Sequence, residues 1–172
     1  MGGNDDNVLF EEETEWLFGA RLFLVLAICC GGLIAFIALQ LVRVGAFPPS
    51  AMVGLFAGSL AFVIVAVCAR IFRRLVVRVT RREVTVHFGA SGGPFGRTIP
   101  IRAIRSAVVE PYDALRWGGW GIRGLGRKQA YSTTGVDRGV RMLFDQRGVE
   151  QLVFVTSARP ESITEAIARA RE

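Results

Sequence analysis

Residues 119–124 read Gly-Trp-Gly-Ile-Arg-Gly and match G-x-G-x-x-G letter for letter. In a dinucleotide-binding unit that spacing follows a strand and opens a helix, so that the helix N-terminus faces a pyrophosphate. Here residues 125–131 read Leu-Gly-Arg-Lys-Gln-Ala-Tyr, a strand-like run, and no strand–helix–strand unit surrounds the match. A P-loop fails too, because Lys128 is displaced and no helix opens beside it. The chemistry this stretch offers is non-covalent. Arg116, Trp117, Trp120, Arg123, Arg127 and Lys128 set aromatic and cationic side chains on a glycine-rich loop, a combination suited to a protein hot spot or a membrane interface. Stacking on nucleic-acid bases is a third use, set aside because the chain carries membrane-length segments. Trp117 is expected at the surface, while Trp120 is divided evenly between packing and exposure.

Covalent chemistry finds no foothold. His87 is the only histidine and has no cysteine or second histidine near it to complete a metal site. It alternates with the apolar residues of its strand and is expected to be exposed. Ser157, Thr133 and Asp137 invite a hydrolase reading, but there is no G-x-S-x-G elbow and no second histidine to act as base. The sequence therefore predicts neither an enzyme, nor a cofactor, nor a metal.

Charge is divided unevenly. Residues 70–172 carry 19 Lys+Arg and 9 Asp+Glu, a balance of +10, whereas residues 1–69 carry 2 and 6, a balance of −4. Lys128 is the only lysine, and the arginine bias suggests a GC-rich bacterial genome. Arg70, Arg73, Arg74, Arg78, Arg81 and Arg82 form a membrane-surface cluster directly after a long apolar run. By the positive-inside rule they predict a cytoplasmic location for the C-terminal hundred or so residues.

The apolar run is the element that positions all of this. Mean hydropathy is +0.39, and the excess is concentrated in residues 17–71. No charged residue lies between Leu22 and Leu39, or between Val44 and Ala69. Each run is long enough to cross a hydrocarbon core of about 30 Å as a helix. Arg43, Gly45, Pro48 and Pro49 leave room only for a turn, so a transmembrane hairpin over 16–72 is predicted, with both termini at the cytoplasmic face of a bacterial inner membrane. Ala27, Gly31 and Ala35 recur every fourth residue in the first helix, as do Ser50, Gly54 and Gly58 in the second. Such small faces let helices approach closely, either within one hairpin or between chains. Cys29, Cys30 and Cys68 fall inside these spans and read as small apolar residues. The preceding segment, 1–15, is acidic, the wrong sign for a signal peptide, and is expected to be a disordered or surface-lying tail. Trp16 suits the membrane interface.

Beyond the arginines the hydrophobic period becomes two. Val77 and Val79, then Val84, Val86 and Phe88, predict a β-hairpin turning at Arg81-Arg82. Further strands are expected at 95–101, 104–110, 128–134, 139–145 and 150–156. A helix at 160–171 presents Ile163, Ala166, Ile167 and Ala170 as its apolar stripe. Trp117-Gly-Gly-Trp-Gly-Ile-Arg123, then Gly135, Gly139-Val140 and the run Phe154-Val-Thr-Ser-Ala-Arg-Pro160 resemble bacterial pleckstrin-homology-like (PH-like) domains, many of which follow transmembrane helix pairs. The resemblance covers residues 75–172. It implies a cytoplasmic seven-stranded barrel or sandwich over 73–172, with its open end plugged by the last helix. It also implies a membrane-anchored module that binds a protein or peptide or assembles with copies of itself. The alternative is a sensor of anionic lipid; no nucleic-acid partner is expected.

Overall fold

The computed structural model describes residues 8–45, 48–89, 95–124 and 126–172. Two long helices, α1 (Leu17–Val44) and α2 (Pro49–Ile71), follow a strand β1 (Val8–Glu15). The remaining elements are β2 (Arg74–Thr80), β3 (Glu83–Phe88), β4 (Gly96–Pro100), β5 (Ile104–Pro111), α3 (Ala114–Trp117), β6 (Gly121–Arg123), β7 (Lys128–Ser132), β8 (Arg138–Gln146), β9 (Val149–Thr156) and α4 (Pro160–Ala170). A single turn of 3-10 helix, Ile101–Ala103, joins β4 to β5. β1 and Trp16 form one compact unit with Arg74–Glu172, and Leu17–Arg73 form another.

Val8–Glu15 of the acidic segment form a strand, not a tail, and residues 1–7 lie outside the described residues. Composition suggests disorder for such a run, but Glu11 and Glu13 alternate with Glu12 and meet arginines on β2. Glu11 is the register partner of Arg78 and Glu15 that of Arg74. Arg78 holds Glu11 through both carboxylate oxygens, with contacts of 2.9–3.1 Å, and Arg74 reaches Glu13 at 2.7 Å. Each such exposed pair contributes at most about 1 kcal/mol, yet together they fix register. Two of the six arginines expected at the membrane surface are thus engaged with this strand.

The strands form two open sheets. The first has the order β1-β2-β3-β4, and the second β5-β8-β9-β7-β6. Among the described residues no hydrogen-bonded strand pair joins one sheet to the other, so no barrel closes and the PH-like barrel expectation is overturned. The cause is local: β4 and β5 end as the outer strands of different sheets, and the chain turns between them through Ile101–Ala103. The order of the second sheet also departs from a simple meander, since β7 runs parallel to β9. The described residues form nine strands where seven were expected, with β1 and β6 additional.

The core gathers the alternating residues Leu75, Val77 and Val79 of β2, Val84, Val86 and Phe88 of β3, and Val140, Met142 and Phe144 of β8. α4 buries Ile163, Ala166 and Ile167. It packs against β1 and β2 of one sheet and β5 and β8 of the other, so it spans two sheets and does not plug a barrel. Arg97 of β4 is a second tie. Its guanidinium donates to Gln129 at 2.6 Å, to Gln146 at 2.9 Å and to Gln151, and lies over the ring of Phe144.

Trp16 packs against Phe88, with ring centroids 6.0 Å apart, which ties it to the first sheet. In the helical unit, a Cβ on Gly31 would meet Phe62 at 3.7 Å, and one on Gly58 would meet Ile34 at 3.2 Å. Gly58 is thus closely packed against Ile34, whereas Gly31 leaves room for a methyl group at ordinary contact distance. Ala35 lines a small apolar hollow with Gly31, Ile34 and Phe62. Gly54 faces open space, Ser50 is exposed and Ala27 is half-buried. By length and composition the segments Arg21–Arg43 and Pro49–Ile71 could each cross a membrane. That alone is weak support for a transmembrane pair.

Candidate functional site

The glycine-rich loop begins where β5 ends. Asp113 caps a single helical turn, its carboxylate accepting from the backbone N–H of Leu115 at 3.0 Å and Arg116 at 3.1 Å. This is the standard use of an aspartate before a helix. Gly118, at φ 77°, ends the turn in the left-handed region, where a side chain would be strained. Tyr112 then locks the loop from beneath. Its hydroxyl donates to the carbonyl of Gly119 at 2.5 Å and accepts from Ser132 Oγ at 2.8 Å. Burial raises the phenol above its ordinary range, partly offset by the Ser132 hydrogen bond.

After Gly119 the chain enters β6, which pairs with β7. A strand thus stands where a dinucleotide site needs a helix. Gly124 explains one further glycine: a Cβ there would lie 2.1 Å from the carbonyl oxygen of Lys128. Gly119 of the motif closes the α3 turn, its N–H donating to the Ala114 carbonyl, while Gly121 and Gly124 belong to β6 and its exit toward β7.

Trp117, expected at the surface, is half-buried, and Trp120, for which packing and exposure stood even, is exposed. Trp117 packs on Phe154 with centroids 6.0 Å apart, and Lys128 Nζ sits 4.8 Å above its ring. Trp120 is 41% exposed. The reason is α3 itself, which turns Trp117 inward onto β9 and sends the chain outward at Gly118. On the same turn Leu115 is 94% exposed, a feature that sequence reasoning missed. An aspartate followed by a short run and a glycine marks such a turn, but does not say which way its leucine points.

Arg116, Trp117 and Lys128 are brought together around a cleft of about 300 Å³, with Glu110, Asp113 and Arg141. Arg141 Nε donates to Glu110 at 2.8 Å, so part of that charge is satisfied internally. Trp120, Arg123 and Arg127 do not line the cleft. Arg123 lies against Gly119, where a Cβ would sit 3.3 Å from its guanidinium, and Arg127 is exposed.

His87 departs from expectation and is buried, at 6% exposure. Its strand partner Gly96 leaves the space the ring needs, since a Cβ there would meet His87 Cβ at 2.7 Å. Burial, reinforced by the charge of Arg78 and opposed by Glu11, lowers its pKa from the ordinary 6.5. Ser157 and Thr133 are buried as well. Ser157 is committed to Glu12, and the Thr133 backbone N–H donates to Thr156 Oγ1 at 3.0 Å. Among the described residues no cluster of three or more His, Cys, Asp or Glu side chains could hold a metal.

No protein-family model, curated protein or solved structure matches this chain. The resemblance to PH-like domains is therefore unsupported by comparison as well as contradicted by the open sheets. The fold and the loop together define an α+β unit of two sheets and a bridging helix, interrupted by a helical hairpin between β1 and β2.

Proposed function

We propose that this protein is a membrane-anchored binding module. In this reading α1 and α2 tether the α+β unit to a bacterial cytoplasmic membrane, and the loop after β5 engages an acidic partner protein. The tether is supported by the large apolar side chains that both helices expose, among them Ile28, Phe36, Val53 and Phe56, a surface that water would leave unsatisfied. It is supported independently by the strands. The chain leaves β1 at Glu15 and re-enters β2 at Arg74, and these are register partners. Two crossings satisfy that pairing and one would break it. The arginine excess at 70–82 then favours the cytoplasmic side.

The observation that carries the binding role is the exposure of Leu115 and Trp120 on a loop whose backbone is fixed by Asp113 and Tyr112. Rigid apolar side chains held outward lose little entropy on docking. Arg116, Arg123 and Arg127 are carried on the same loop, and the loop's one acid, Asp113, is spent on the helix cap, so an acidic surface is the complementary one. An anionic lipid surface is the second reading, favoured by the same pairing of tryptophan with arginine.

A photo-crosslinking residue at position 115 of the full chain, expressed in cells, tests the loop. The expected result is a discrete protein adduct that is absent when the probe sits at Glu150 and weakened by Trp120→Ala. An adduct carrying only lipid mass would select the second reading. The same yield from both probe positions would remove the loop as a binding surface.

A further inference from the structure

Five arginines of the α+β unit meet acids. Arg74 meets Glu13, Arg78 meets Glu11, Arg105 meets Asp145, Arg138 meets Glu161 and Arg141 meets Glu110. Four others converge on a space whose described lining contains no acid. Arg81, Arg82, Arg102 and Arg171 line a cleft of about 580 Å³ whose apolar wall is Pro100, Ile101 and Ala170. That volume lies in the range of ligand pockets, about 300–1,000 Å³. Like charges facing one space repel, and nothing in the lining offsets them. By contrast, the cleft beside Trp117 mixes Arg116, Lys128 and Arg141 with Glu110 and Asp113.

The backbone under these arginines is held firmly. Arg81 and Arg82 form the whole turn between β2 and β3. Thr80 Oγ1 donates to the Glu83 carbonyl at 3.0 Å and accepts from the N–H of Arg82 and of Glu83 at 3.2 and 3.1 Å. The carbonyl of Arg82 accepts from the N–H of Ile101 at 2.8 Å, which pins the turn to the 3-10 segment that carries Arg102. Arg171 follows α4, and its Nη2 donates to the carbonyl of Ile104 at 2.6 Å, leaving its other N–H groups for the cleft. Three separate elements therefore present guanidinium groups on a prepared frame. Arginine offers planar paired donors that match the oxygens of a phosphate better than a point charge does.

We propose that this cleft binds a phosphate group, carried either by a soluble phosphorylated or pyrophosphorylated solute or by an acidic lipid headgroup. The four arginines supply the charge and the N–H forks, and the Pro100–Ile101 wall limits access on one side. The site is separate from the loop at Leu115 and Trp120 and does not depend on the role given to that loop.

The test uses the full chain in nanodiscs of zwitterionic lipid, titrated with pyrophosphate at low salt. Wild type is expected to bind saturably, and Arg81→Gln with Arg102→Gln to weaken binding by at least about tenfold, the loss of one or two charge-assisted contacts. Arg43→Gln with Arg147→Asn removes the same charge elsewhere and should change affinity by less than about twofold, because exposed charges at a distance are screened. Arg81→Lys with Arg102→Lys keeps the charge, guards against a folding artefact, and should fall between wild type and the glutamine pair. A second arm uses discs containing phosphatidylglycerol and counts acidic lipid retained by the released protein. Retention lost only in the cleft variants, without pyrophosphate binding, identifies the headgroup as the source. Equal losses in the cleft and control pairs, or neither pyrophosphate binding nor cleft-dependent lipid retention, would overturn the proposal.

Discussion

Ser157 Oγ donates a hydrogen bond of 2.5 Å to Oε2 of Glu12, a residue 145 positions earlier in the chain. The other carboxylate oxygen accepts from the N–H of Ala158 at 2.8 Å and from Thr14 Oγ1 at 3.3 Å. Glu12 is buried, and its partners lie just before the first turn of α4, the end of a helix that favours an anion. The strand that precedes the helical hairpin is thereby stitched to the last helix of the α+β unit.

That stitch has a measurable weight. Glu12→Ala would strand the buried Ser157 hydroxyl without an acceptor, at about 1–3 kcal/mol, and leave the N–H of the exposed Ala158 to water. The full-length variant in detergent is expected to unfold at clearly lower denaturant than wild type, with Glu12→Gln between them because an amide oxygen still accepts. Unchanged unfolding of Glu12→Ala would mean that β1 contributes nothing to the folded unit.

His87 makes stability depend on pH. Its folded pKa is lowered, chiefly by burial and next by Arg78, so the neutral form is the one the fold accepts. Above 6.5, the ordinary value, both states are neutral and the full stability is present. As pH falls below that value the unfolded chain takes the proton first, and stability declines until the lower folded pKa is passed. The melting temperature should therefore drop as pH falls through 6.5, and His87→Gln should flatten the drop. Identical slopes for the two proteins would show that the ring is not held neutral by the fold.

How far the sequence foretold this structure differs from element to element. Strict alternation at Val77–Val79, Val84–Phe88 and Val140–Phe144 located β2, β3 and β8, because a half-buried strand must alternate. The stripe of Ile163 and Ile167 located α4 for the corresponding helical reason. β1 was hidden because its glutamates have the composition of a solvated tail, and only their pairing with Arg74, Arg78 and Ser157 makes a strand of them. The closure of the sheets was not legible either. Whether β4 and β5 pair is decided by the turn at Ile101–Ala103, and the parallel placement of β7 on β9 joins residues with no local signature. At the loop, the sequence grouped Arg116, Trp117, Trp120, Arg123, Arg127 and Lys128, of which the cleft brings together Arg116, Trp117 and Lys128. Their directions follow from the helical turn capped by Asp113, so Trp117 went inward, Trp120 outward, and Leu115 was missed.

The proposed anchoring makes a topological demand. With Cys29, Cys30 and Cys68 replaced by serine or alanine, a cysteine at Gly45, between α1 and α2, should react with an impermeant thiol reagent in intact cells. One at Glu150, on β9, should react only after lysis. β1–β2 pairing requires the two ends of the hairpin to share a side, and the arginines after Ile71 select the cytoplasm. Labelling of position 150 without lysis would reverse the orientation. Failure of both positions to partition with membranes would remove the anchor.

Trp117 and Trp120 separate packing from binding within one loop. Trp117 packs tilted against Phe154 and carries Lys128 above its ring, so Trp117→Ala deletes aromatic contact and enlarges the cleft that Trp117 lines. Truncating a large aromatic in a core costs about 3–5 kcal/mol, and a half-buried ring should cost less but still lower the melting temperature by several degrees. Trp120 is exposed, so Trp120→Ala should leave the melt unchanged within the about 0.5 kcal/mol typical of surface sites. If the loop is a docking surface, the same Trp120→Ala protein should lose partner recovery, and Leu115→Ala should act alike. Melting and recovery measured on one preparation of each variant decide the matter. A Trp120→Ala variant that melts early would place that ring in the fold after all, and one that melts normally and still recovers its partner would take Trp120 out of the binding surface.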